Sequence, residues 1–179
     1  MSTAASRLLY IPESTQVAKT LLTQLREAHR ELMREISAME KLTFEESVDP
    51  AQCANRRWRL SQASLTRRLL AARICDYFLR RMDSDESAEL ESLVHADQAL
   101  LSASSVHLGR WTPDLLRTDW SVFCSEAREM LRKTQNHIAL EQRVLYPLLE
   151  RSAVRDQGQG TGASDGARTR DLRRDRPAL

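Results

Sequence analysis

The chain has 179 residues, 41% of them hydrophobic and only 5% aromatic, with 27 basic against 25 acidic side chains. That length and apolar content suit one domain with a single core. Residues 1–152 hold equal numbers of basic and acidic side chains, so the basic excess lies in 153–179 and the body has no net charge to attract nucleic acid.

Residues 1–13 read as an N-terminal extension without the apolar run of a signal peptide, and no window approaches the ~20 apolar residues of a membrane span. Of five glycines only Gly109 precedes residue 155. A body rich in Leu, Ala, Arg and Glu and almost free of glycine predicts an all-α fold over 14–151. The first helix is expected from Ser14, a capping residue, to Leu42. Its apolar stripe is Val17, Leu21, Leu25, His29, Leu32, Ile36 and Met39, with His29 at the centre.

Asp49-Pro50 opens a second helix over roughly 50–82, since a capping carboxylate precedes a proline at the first helical position. Its expected inward stripe is Trp58, Ser61, Leu65, Leu69, Ala72, Asp76 and Leu79. Asp83-Ser84-Asp85 separates it from a third helix closed by Gly109. There Leu90, Leu93, Val94, Leu100, Leu101 and Leu108 share one side, with Asp97 among them and His95 pointing away. Thr112-Pro113 opens a fourth helix over roughly 113–151. Its stripe is Trp120, Phe123, Ala127, Met130, Thr134, His137, Glu141, Leu145 and Leu148. Trp58, Trp111 and Trp120 lie near helix starts and read as end-of-bundle packing, and His95 and His107 as surface or boundary residues. Short loops favour antiparallel neighbours, hence an up-down-up-down four-helix bundle. Residues 152–179, rich in Gly, Arg and Asp, are expected to be disordered. The string Gly162 to Leu172 resembles ends of bacterial reading frames that overrun their stop, so no function is drawn from it.

His137 and Glu141 carry the chemistry. An imidazole and a carboxylate four residues apart on an otherwise apolar stripe must be paired, neutralised or metal-bound, because burying them alone is costly. The pair is either a set of metal ligands or a structural His–Glu hydrogen bond. The spacing Leu93-x3-Asp97-x2-Leu100 matches Leu25-x3-His29-x2-Leu32, so the chain reads as a weak duplication. Each half gives one inward polar residue and a pair spaced by four: His29 with Ala72/Asp76, then Asp97 with His137/Glu141. Without metal, Arg73 or Arg68 would have to neutralise the acids, or the acids would protonate or reach water.

On these residues, and on the run His137-Ile138-Ala139-Leu140-Glu141 followed by Leu145-Tyr146-Pro147-Leu148, residues 15–151 resemble the hemerythrin-like (HHE cation-binding) family. The resemblance implies a non-haem iron site, di-iron or mononuclear, that binds or senses oxygen, nitric oxide or redox state. The ligands would be His29, Asp76, Asp97, His137 and Glu141, although Ala72 and Asp97 stand where the family has histidine. That set is poorer in nitrogen and nearer to carboxylate-rich sites.

The expected role is therefore non-enzymatic metal binding or sensing. Its alternative is a bundle that has lost its metal and serves as a structural or protein-interaction module, with no cofactor. A carboxylate-bridged oxidase or peroxidase would need two metals. No nucleophile motif or phosphate loop is present. Three cysteines (Cys53, Cys75, Cys124) without a Cys-x-x-Cys pair fit reduced thiols in a cytoplasmic protein, with no nucleic-acid or membrane partner expected.

Overall fold

A computed structural model describes residues 15–159. The expected extension 1–13, the capping Ser14 and the tail from 160 onward lie outside the described residues. Five helices pack together: α1 (Thr15–Leu42), α2 (Pro50–Leu79), α3 (Ser84–Arg110), α4 (Pro113–Thr118) and α5 (Trp120–Gln159). No strand occurs among the described residues, as the glycine-poor composition predicts. None of these helices is long and apolar enough to cross a membrane.

The start signals act where they stand. Asp49 Oδ1 accepts from Ala51 N at 3.1 Å and Pro50 is the first residue of α2. Thr112 Oγ1 accepts from Leu115 N at 3.3 Å ahead of Pro113. Each satisfies an amide that a helix start leaves free.

Three boundaries differ from expectation. The fourth expected helix is two, because Asp119 (φ −123°, ψ 36°) leaves the helical region and separates α4 from α5. Gly109 does not close α3, since the helix continues to Arg110 and no glycine among the described residues has positive φ. The last helix is expected to end near 151, and α5 continues through Gln159.

Helix α1 packs most extensively against α2 and α5, while α3 rests on α5 and on α2. The buried apolar residues form two clusters. One gathers Leu32, Ile36, Met39, Trp111, Phe123 and Leu131, and the other Leu25, Ile74, Leu90, Leu93, Leu145 and Leu149. His29 separates them along α1, and His137 and Glu141 separate them along α5. The stripes expected for α1 and α5 are thus the buried ones.

The stripe expected for α2 is not. Trp58 is 63% exposed, Leu65 46% and Leu69 65%, and Ala72 is exposed as well. The inward row is instead Leu60, Ala63, Arg67, Ala71, Ile74 and Phe78, again in steps of three and four. Helix α2 carries apolar residues on two sides, and the buried side has an arginine at its middle. Leu101 and Leu108 of α3 are also not buried, each 40% exposed. Trp58 packs no bundle end, whereas Trp111 is buried and Trp120 partly so. Cys53, Cys75 and Cys124 are buried free thiols.

Candidate functional site

Four of the five expected site residues meet between the two apolar clusters: His29 from α1, Asp97 from α3, and His137 with Glu141 from α5. The fifth, Asp76, does not join them. It lies 61% exposed on α2 and accepts from Arg80 Nε at 3.0 Å through each oxygen, an i,i+4 surface pair. The reason is the register of α2: its inward positions at this level are Arg67 and Ala71, so Ala72 and Asp76 face outward.

Arg67 is the residue that the sequence pattern missed, and it is fully buried. Its Nη1 donates to Glu141 Oε1 at 2.7 Å and lies 3.1 Å from Asp97 Oδ1. Arg68 adds a bond from Nε to Asp97 Oδ2 at 3.1 Å. The cations facing the acids are therefore Arg67 and Arg68, while Arg73 is exposed. A signal for Arg67 did exist, since it sits in the row from Leu60 to Phe78. An arginine among small and apolar residues at that spacing reads as a surface residue until its partners are known.

Glu141 Oε2 receives the other half of the network. His29 Nε2 lies 2.8 Å from it, and His29 Nδ1 lies 2.8 Å from the Tyr146 hydroxyl. An ionised carboxylate only accepts, so Nε2 carries the proton. The Tyr146 hydroxyl at Nδ1 engages the other ring nitrogen. His137 Nε2 sits 3.4 Å from Asp97 Oδ1 and 3.5 Å from Glu141 Oε1. These are charge contacts, for the nitrogen has no hydrogen-bond partner.

Electrostatics follow from this packing. Burial by itself raises the Glu141 carboxyl, but His137, His29 and Arg67 outweigh it and bring the pKa down to about 2. Burial likewise opposes ionisation of Asp97, and His137, Arg67 and Arg68 hold its carboxyl well below the usual range. Burial lowers the His137 imidazole, yet the adjacent Asp97 and Glu141 carry it above its ordinary value. Two ionised acids thus face two arginines and a histidine that favours its charged form.

One ligand atom each from Asp97, His137 and Glu141 lie within 4.8 Å of one another, so this group could hold a metal ion. Arg67 Nη1 already contacts the same two carboxylate oxygens. Of the remaining histidines, His95 is exposed, as expected. His107 stacks on Phe123 with centroids 5.8 Å apart, and burial lowers its pKa. Compared with known proteins, the chain matches no family model, no curated protein and no solved structure.

Proposed function

We propose that the chain is a hemerythrin-like four-helix bundle, α1, α2, α3 and α5 running up-down-up-down, in which Arg67 replaces the resident metal. It serves as a cytoplasmic, non-enzymatic structural or protein-interaction module. The observation that carries this reading is the position of Arg67 Nη1, 2.7 Å from Glu141 Oε1 and 3.1 Å from Asp97 Oδ1. A guanidinium there supplies the charge that a metal would otherwise provide, and a divalent ion beside it would be repelled.

The donor set does not fit the two-metal site that the resemblance implies. On α2 the inward residues spaced by four are Arg67, Ala71 and Cys75; the first two offer no ligand, and the Cys75 thiol does not join the group that Asp97, His137 and Glu141 form. Both His29 nitrogens are engaged, with Glu141 and with Tyr146. The interaction role draws on the outer side of α2, where Trp58 and Leu69 stand well exposed on one stripe. Exposed apolar stripes of this kind mark contact surfaces.

A specific observation favours a second reading, a single metal held by Asp97, His137 and Glu141. The three donors converge, and His137 Nε2 has no hydrogen-bond partner. That role, iron-based binding of oxygen or nitric oxide included, requires Arg67 to withdraw. Metal analysis of protein purified anaerobically with iron supplied decides between them. We expect less than about a tenth of an equivalent of Fe, Mn or Zn, and no rise in Tm when these ions are added. Close to one equivalent, lost in His137→Ala, would establish the second reading instead. As a positive control, Arg67→His/Ala71→Glu places a His-x-x-x-Glu pair inward on α2 and is expected to gain metal.

A further inference from the structure

Two arginines of α2 pin α3 in place. Arg57 donates to the carbonyl oxygens of Leu108 and Trp111, each at 2.7 Å. Arg68 Nε donates to Asp97 Oδ2 at 3.1 Å. The pins run from 57 to 68 on α2 and from 97 to 108 on α3, eleven residues on each helix or about 16 Å. Between them the helices leave a cavity of about 160 Å³, closed on the inner side by α5. Leu60 and Leu65 of α2, Leu100 and Leu101 of α3 and Met130 of α5 give it apolar walls. None of these five is buried, so they are side chains that an entering molecule can touch. Leu65 and Leu101 are two-fifths or more exposed, and the mouth opens between α2 and α3.

The lining offers no counter-charge of either sign. No carboxylate belongs to it. Arg57 is spent on the two carbonyls, and Arg67 and Arg68 are compensated by Glu141 and Asp97. Burial lowers the His107 pKa and keeps that ring neutral. The other polar side chains there are hydroxyls, of which Ser104 and Thr134 donate to the Leu100 and Met130 carbonyls of their own helices. A charged ligand would shed its water with nothing to replace it. A hydrocarbon loses nothing of that kind, and it takes the apolar walls out of water.

We propose that this cavity binds one small, uncharged, mainly hydrocarbon molecule between the two arginine pins. The pins explain both its existence and its choice of ligand. They hold α3 off α2, so the apolar gap does not close, and they tie up the cations that would otherwise attract an acid. The volume sets the size. An apolar cavity of ~150 Å³ takes a benzene ring, so the occupant has about six to eight carbons and is no segment of another chain. The site goes beyond the metal-replacing role proposed for Arg67, and metal content and hydrocarbon binding are read separately.

Titration calorimetry of the full chain with toluene and indole, against benzoate and benzylamine, tests this. The neutral rings are expected to saturate one site and raise Tm, with the acid and the amine each about tenfold or more weaker. Ser64→Phe fills the cavity from α2, outside the charge network, and is expected to abolish binding with the helical circular dichroism retained. Should that variant fail to fold, Leu101→Trp fills the same space from α3 and is expected to do the same. Benzoate or benzylamine binding as tightly as toluene, toluene binding unchanged in a folded filling variant, or no saturation up to about 5 mM would overturn the proposal.

Discussion

Arg67 of α2 and Glu141 of α5 are joined by a 2.7 Å hydrogen bond with both side chains essentially out of contact with solvent, at 0% and 1% exposure. An ion pair this deep gains stability only if each charge stays compensated, because desolvation of either one alone outweighs any single attraction left to it. Glu141 is therefore bonded at both oxygens, by Arg67 and by His29.

Breaking the pair should be far worse than replacing it. Arg67→Met leaves Glu141, 1% exposed, beside a methionine with its Oε1 uncompensated, and is expected to cost about 3–5 kcal/mol in urea or thermal unfolding. Glu141→Gln in the same background removes that uncompensated buried charge and should recover part of the loss. The double-mutant cycle should then give a coupling of about 1–3 kcal/mol. Additive single effects would show that the two side chains do not share a network.

Stability should fall on both sides of a mildly acidic optimum. Glu141 is depressed from 4.5 to about 2 in the folded chain, so its contribution is present above pH 4.5 and is lost as pH falls toward 2. Asp97, lowered from 3.8 by His137, Arg67 and Arg68 against the effect of burial, acts in the same direction. His137 is raised above 6.5 by Asp97 and Glu141, against burial and Arg67. Its contribution is therefore full below pH 6.5 and disappears as pH rises through the folded value. Denaturation midpoints measured from pH 3 to pH 9 should peak near pH 5–6. His137→Gln should flatten the alkaline limb alone.

The outer side of α2 offers a direct test of the interaction role. Trp58→Lys/Leu69→Lys exchanges exposed apolar groups for charge at positions that contribute little to the core, so Tm should change by no more than the equivalent of ~0.5 kcal/mol per site. The native chain is expected to associate with itself through this side in a concentration-dependent way, read by sedimentation, and the variant to stay monomeric. Association that survives both lysines would assign contact to another surface.

The sequence by itself determined the helical class, the helix starts at Pro50 and Pro113, and the buried stripes of α1 and α5. Each depends on chemistry within a few residues: a capping side chain before a proline, or apolar groups recurring every three or four positions. That is why His29, His137 and Glu141 could be placed inward before any tertiary contact was known, and why Asp97 could be preferred to His95. The side of α2 that faces the core was decided only by the tertiary structure. Two apolar rows compete on that helix, Trp58–Leu65–Leu69 and Leu60–Ala63–Ala71–Ile74, and local periodicity weights them alike. The second is buried with Arg67 in it because Glu141 and Asp97, from helices far along the chain, compensate its charge. Burial of a charge depends on its partners, and these belong to the fold rather than to the local pattern. That one choice of face turned Asp76 out to solvent and put an arginine where the sequence alone pointed to a metal.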